Sequence, residues 1–189
     1  MNFYVPQGQT TESAKFLYKL EFFRQMQQEL EQYPSSQPRI VAGDLNVALD
    51  ERDVVNAQTM AGKVSFHPKE HTEMRQLMKI GELEDCFRKW NEQPQQYTWW
   101  DYRTRGFEKN EGMRIDYIFG NHEMASRCRA CVVDTEHRAI DKASDHAPVM
   151  ATFSILWSGC LRFCLPLNTL SAFFVLKNRY DTCLVFLEL

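Results

Sequence analysis

A mixed fold, α/β or α+β, is predicted for this chain from three observations. Helical and strand-like periodicities alternate along residues 14–153 rather than falling into separate halves. The strand-like runs are short and rich in β-branched and aromatic residues, as in Arg114-Ile115-Asp116-Tyr117-Ile118-Phe119. The chain has 189 residues, 44% of them hydrophobic and 25% charged, enough for one domain with a packed core and without internal repeats.

Met1 to Val5 reads as a strand running into a loop at Pro6, with neither the basic nor the apolar region of a signal peptide. Residues 14–32 place Phe16, Leu17, Leu20, Phe23 and Leu30 on a helical period with Glu, Gln and Lys between them, an amphipathic helix. Pro34-Ser35-Ser36-Gln37-Pro38 breaks it. Residues 39–42 form a short buried strand that ends at Gly43-Asp44-Leu45-Asn46, and residues 51–66 are polar and irregular, a long loop. A second helix covers 69–80, with Met74, Leu77 and Met78 inward. The aromatic segment 97–102 follows a loop rich in Pro and Gln, residues 114–119 and 147–153 read as strands, and 129–134 as a weaker one.

The net charge of −3 gives no global basic field, although local basic strips and a site built from acids are compatible with it. The six cysteines have no framework spacing, which points to a reducing compartment, and the single CxxC of Cys128 and Cys131 reads as strand residues rather than a zinc site. His67 and His71 share a helical spacing but lack the intervening Glu of a zinc-binding helix. Residues 154–189 are a different material, rich in Leu, Phe and Cys. Within 155–176, Arg162, Pro166 and Asn168 argue against a membrane span, so this stretch reads as an appended hydrophobic tail of unknown role beside a domain of residues 1–153.

Three acidic clusters lie at or near apolar strands: Gly43-Asp44-Leu45-Asn46, Arg114-Ile115-Asp116-Tyr117 and Ser144-Asp145-His146-Ala147-Pro148. A Gly-Asp pair after a strand is usually only a turn. A carboxylate inside an apolar strand is harder to explain, because its burial costs several kcal/mol unless it is paired or bound to a metal. Carboxylate and amide oxygens suit a hard cation such as Mg²⁺, and a histidine beside carboxylates can be oriented for proton transfer or phosphate contact. Together these residue types fit phosphodiester hydrolysis.

The motifs YVPQG, GDLNVA, KVSFHPKE, YTWWDYR, GMRIDYIF and SDHAPV occur over residues 4 to 153 in the order seen in the exonuclease III / abasic-site endonuclease family, which the chain resembles. GDLN and SDH alone mark only the wider endonuclease/exonuclease/phosphatase superfamily; the SFHP segment and the YTWWDYR aromatic pair look like its DNA-repair branch. The resemblance implies a partial four-layer αββα sandwich of the DNase I-like type, with the N-terminal half missing. It implies Mg²⁺, with Mn²⁺ as the substitute, and double-stranded DNA with abasic sites or 3′ ends as partner. A monomer is expected, with no membrane partner unless the tail inserts, in the cytoplasm or nucleoid, or in the nucleus of a eukaryotic cell.

The resemblance also implies roles. Asp44 would donate a proton or activate water, Asn46 would position that water, and Asp116 would orient His146, which would contact the phosphate or take a proton. Asp145 would sit on the metal side with Asp44, Asn46 and Gln7, and Tyr4 would contact the phosphate. Trp99 and Met113 would wall the pocket for a flipped-out abasic sugar, with Trp100 either beside them or in the core. Arg103, Arg105, Lys109 and Arg114 would contact DNA phosphates or, interleaved with acids as they are, form a solvated face.

The family's upstream strands, which carry an asparagine and the glutamate that is its principal metal ligand, have no counterpart here. The expectation is therefore an incomplete metal site, an inactive polypeptide and a fragmentary gene model. Two other readings compete: a non-catalytic interaction module, and a superfamily phosphatase acting on phospholipid or inositol phosphate.

Overall fold

A computed structural model describes residues 1–154 and the backbone of two further strands, Ala172–Leu176 and Thr182–Leu187. In chain order the strands are β1 (Asn2–Tyr4), β2 (Ile40–Asp44), β3 (Leu83–Asp85), β4 (Trp99–Trp100), β5 (Gly112–Met113), β6 (Asp116–Asn121), β7 (Cys128–Val133), β8 (Val149–Ser154), β9 (Ala172–Leu176) and β10 (Thr182–Leu187). The helices are α1 (Ala14–Glu31), α2 (Ala57–Met60), α3 (Pro68–Gly81), α4 (Gly106–Lys109), α5 (His122–Arg127) and α6 (Thr135–Arg138).

The two long helices start where local chemistry tells them to. Ser13 caps α1 by accepting from the Phe16 N–H at 3.2 Å. His67 caps α3, the Glu70 carboxylate returns to the His67 N–H, and Pro68 fills the first turn, where a missing donor costs nothing. The apolar stripes of α1 and α3 then close over one face of the sheet β1-β2-β6-β3, with Phe23, Met26, Leu30, Met74 and Leu77 packed on Val41, Tyr117 and Phe119. Each such fully buried side chain contributes about 1.5–3 kcal/mol.

Period two puts the alternate residues Ala42 and Ile118 on the other face, where they meet Cys131, Val149, Ala151 and Phe153 of the second sheet, β7-β8-β10-β9. The molecule is thus a helix pair on a sheet on a sheet, the mixed α/β architecture expected. Strand β6 lies between β2 and β3 with both faces covered, and all six of its residues are buried.

Several boundaries differ from the periodicity. The run expected as one strand over 114–119 is ordered as β6 only from Asp116 onward; Arg114 and Ile115 separate it from β5, and their N–H groups turn to Asp53 and Thr98 instead of a ladder. The loop 51–66 contains a single 3₁₀ turn at Glu51–Asp53 and the short α2. Leu17, expected inward, is 63% exposed; the stripe that α1 buries runs through Phe16, Leu20 and Phe23. The tail expected after residue 153 supplies β9 and β10, with β10 antiparallel to β8. Most of the 155–176 stretch weighed as a membrane span lies outside the described residues. Among those that are described, no helix is long and apolar enough to cross a membrane.

Candidate active site

Register brings the first two acids together. In the antiparallel β2–β6 ladder Asp44 stands directly opposite Asp116, at the end of both strands and on the face turned toward the second sheet. Gly43 makes this possible: its φ is +138°, and a Cβ there would run into the Phe3 carbonyl of β1. After Asp44 the chain turns sharply. Asn46 adopts a left-handed φ of 52°, its backbone N–H donates to Asp44 Oδ1 at 2.8 Å, and its Nδ2 donates both to Asp44 Oδ2 and to the Val5 carbonyl, each at 2.9 Å. Both N–H donors of the Asn46 side chain are therefore committed. Its amide oxygen is the group left to face a water.

His146 comes from the loop before β8. Its Nδ1 lies 2.9 Å from Asp116 Oδ2, with Asp116 buried and the His146 side chain only 16% exposed. Asp44, Asp116 and His146 each place a ligand atom within 4.8 Å of the others, the candidate metal cluster among the described residues. The backbone around them is tied by Thr98, which sequence reasoning did not single out. Its hydroxyl accepts from the N–H groups of Ile115 (3.0 Å) and Asp116 (3.1 Å), and its carbonyl accepts from Ala147 N–H at 2.7 Å. No motif marks a threonine for this work, since only tertiary structure brings it under Asp116.

The electrostatics of the cluster are unbalanced. Burial, then the charge of Asp116, push the Asp44 carboxyl up to about 7, against the opposing pull of His146, the Asn46 N–H and Lys19. For His146 burial alone would favour the neutral ring. The Asp116 hydrogen bond and the charges of Asp116, Asp44 and Asp145 outweigh it and raise the imidazole to about 9. The second oxygen of Asp116, Oδ1, is buried without a hydrogen-bond partner. An orphaned carboxylate oxygen beside a second carboxylate fits a hard divalent cation, which takes oxygen ligands and completes its shell with water or phosphate. Asp44 and Asp116 would hold it.

The other expected residues divide. Tyr4 pairs with Asp44 across the parallel β1–β2 ladder and is 55% exposed, at the rim of the site. Gln7 is exposed in the loop after β1, its Oε1 accepting from the Gln9 N–H. Trp99 is half-buried, pairs with Met113 across β4–β5 and bridges to His146, so the aromatic wall stands beside the acids. Asp145 is not one of the three residues of the cluster; one of its oxygens, Oδ2, accepts from the Trp99 indole N–H at 2.9 Å.

Trp100 is a core residue, 1% exposed and packed edge-on against Tyr97 and Phe107. Arg103 and Arg105 are exposed and held in local ion pairs with Asp101 and Glu108. Arg114, expected at the DNA surface, is instead 1% exposed. It is locked bidentately on Asp53 at 2.7 and 3.0 Å and reaches Asp85 at 2.8 Å, so it cannot contact a phosphate from there. A cleft of about 530 Å³ lined by Leu49, Arg52, Phe66, His71 and Arg75 lies away from the cluster and includes none of its three residues.

Two stacked sheets under a helix pair, with acids gathered at strand ends on one edge, define the DNase I-like class of fold. The chain belongs to the Endonuclease/Exonuclease/phosphatase family, whose model matches residues 21–146. It is 36% identical over 162 residues to exodeoxyribonuclease III of Haemophilus influenzae, covering 81% of this chain and 60% of that one. Two solved structures superpose with a TM-score of 0.77. One is a 3′ phosphatase from Neisseria bound to a product DNA hairpin, 30% identical, with 80% of this chain and 59% of that one covered. The other is an AP endonuclease from Archaeoglobus fulgidus, 29% identical, with 82% and 60% covered. The chain thus spans about 60% of the length of these relatives.

Proposed function

We propose that this site belongs to a Mg²⁺-dependent DNA-repair phosphodiesterase that incises at abasic sites and trims 3′ ends, with Mn²⁺ able to replace Mg²⁺. The observation that carries the reading is the convergence of Asp44, Asp116 and His146 within 4.8 Å, beside the Trp99 wall. Similarity to DNA-acting relatives supports the choice of substrate over a phospholipid or inositol phosphate.

A bound divalent ion would supply Lewis acidity at the phosphoryl oxygen and stabilise the leaving oxygen. The chain's own residues do the rest. His146, raised to about 9, is an imidazolium at neutral pH, so it serves as a charged donor to a phosphate oxygen rather than as a base. Asp116 keeps that cation in place through Nδ1. Asp44, raised to about 7 before a cation binds, is ionised once it holds one, and as a carboxylate it can accept a proton from the attacking water. Asn46 offers its amide oxygen to orient the water. Trp99, fixed by Asp145, walls a pocket for a sugar that lacks its base.

Among the described residues the cluster holds two carboxylates, Asp44 and Asp116, in a chain that spans about 60% of the length of its relatives. We therefore expect this polypeptide by itself to bind abasic DNA but to turn it over orders of magnitude below a fully ligated site. The test has two arms, both with Mg²⁺ present. Fluorescence anisotropy should show preference for a duplex containing tetrahydrofuran over an intact duplex, a preference lost in Trp99→Ala. Gel analysis should show no incision within hours. Mg²⁺-dependent incision that disappears in Asp44→Ala would overturn the predicted inactivity. Equal binding of intact and abasic duplexes would overturn the DNA-repair reading.

A further inference from the structure

Lys19 lies on the second turn of α1, and none of its surface is exposed. Lysine is among the residues least often buried. A buried ion pair can often be replaced by apolar residues without loss of stability, so stability alone does not account for this one. Its three ammonium protons meet acceptors from three separate segments: the Asn46 carbonyl at 2.7 Å, the Gln7 carbonyl at 3.2 Å and the Glu70 carboxylate. Glu70 is held in turn by the N–H groups of Ser65 and His67. The lysine stem passes Gly8, a residue of φ +96°, where an added Cβ would come within 3.3 Å of Lys19 Cδ. The loop after β1 is therefore shaped around this side chain.

Two of the three acceptors belong to segments at the site, and one of them is the residue in the left-handed turn that carries the Asn46 amide. We infer that Lys19 is a positioning residue: its ammonium clamps the Asn46 and Gln7 carbonyls, and so sets the Asp44–Asn46 turn against the loop after β1. Glu70 is the counter-ion that makes the buried charge tolerable. The inference rests on the proposed function only in counting Asn46 as part of the site.

The experiment compares Glu70→Gln with the double variant Lys19→Met/Glu70→Gln by backbone amide hydrogen exchange, without metal or DNA. The Asn46 N–H, bonded to Asp44 Oδ1, reports the turn; the Leu45 N–H, bonded to the Ile115 carbonyl at 2.9 Å, is the internal control. With the ammonium still present, Glu70→Gln should keep Asn46 protected. The double variant should exchange Asn46 about tenfold faster with Leu45 unchanged. Asn46 protection that is equal in the two variants, whether kept or lost in both, overturns the inference. If the double variant does not fold, the wild-type chain decides: a scalar coupling from Lys19 ¹⁵Nζ to the Asn46 carbonyl carbon is expected, and its absence overturns the clamp. Neither readout involves catalysis, so failure of the proposed function leaves both intact.

Discussion

His146 owes its properties to one carboxylate more than to any other neighbour. Asp116 bonds its Nδ1 at 2.9 Å and is 2% exposed, so little solvent screens the pair. Removing that charge leaves burial as the dominant influence, and burial favours the neutral ring. Asp116→Asn is therefore predicted to bring the His146 midpoint from about 9 down to or below the ordinary value of 6.5, followed by ¹H–¹³C NMR titration of the imidazole. A midpoint that stays near 9 would show that Asp44 and Asp145 hold the proton without Asp116. The Asp145–Trp99 bond has a different consequence. It gives an acid expected at the metal a further task, fixing the pocket wall through one oxygen, a role visible only once the indole N–H is located.

The elements around the site are joined by a few buried polar groups. β6 begins where the ladder is interrupted at Arg114 and Ile115, and three side chains close the gap. Arg114 grips Asp53 and reaches Asp85. Tyr117 donates its one proton to the Val47 carbonyl at 2.8 Å, with the Arg114 carbonyl 3.1 Å away, while accepting from the Leu49 N–H. Thr98 accepts from Ile115 and Asp116. Thr98→Val preserves shape but strands two buried N–H groups. It should cost about 1–3 kcal/mol in urea denaturation, and because one of those groups is the Asp116 N–H it should also disturb the His146 resonance. A loss below about 0.5 kcal/mol, within the range of a neutral surface change, would mean that water or backbone movement satisfies both donors.

Over the whole molecule the shifted groups pull stability both ways with pH: Asp44 and His146 in one direction, and Cys128, lowered first by its hydrogen bond with Cys86, and His71, lowered first by burial, in the other. Asp44, at about 7 when folded against 3.8 ordinarily, holds a proton that the unfolded chain has released, so the folded state loses ground between about pH 4 and 7. His146, at about 9 against 6.5, contributes stability that is complete below its unfolded value and is lost as pH rises toward 9. Asp50, lowered to about 2 first by its hydrogen bond to Arg52, matters only below about pH 4. The contribution of Asp44 and His146 to the stability of the metal-free chain should therefore fall from about pH 5 to 9. Asp44→Asn should raise Tm at pH 8 by several degrees and change it little at pH 4. A Tm difference between Asp44→Asn and the wild type that is the same at pH 4 and pH 8 would contradict the assignment.

Much of this was legible beforehand. The stripe Phe16, Leu20, Phe23, the breaker after residue 32 and the strand ending in Gly43-Asp44 are local signals, and each produced its element. Asp116 was conspicuous because a carboxylate in an apolar strand requires a partner, and it has one in His146. The placement of Arg114, Lys19 and Thr98 was not legible. An arginine in a charged stretch looks solvated until Asp53 and Asp85 surround it, a helix lysine looks exposed until two loops and the start of α3 converge on it, and a threonine beside tryptophans gives no sign of whose backbone it holds.

A divalent-cation site at Asp44 and Asp116, with His146 beside it for the phosphate, can be read by titrating the ¹⁵N-labelled chain with Mn²⁺ and following paramagnetic broadening. Broadening should appear first at Asp44, Asn46, Asp116 and His146, should be displaced by excess Mg²⁺, and should vanish from those residues in Asp44→Asn/Asp116→Asn. First broadening elsewhere, for example at Asp50 and Glu51, with the four site residues unaffected, would contradict the account.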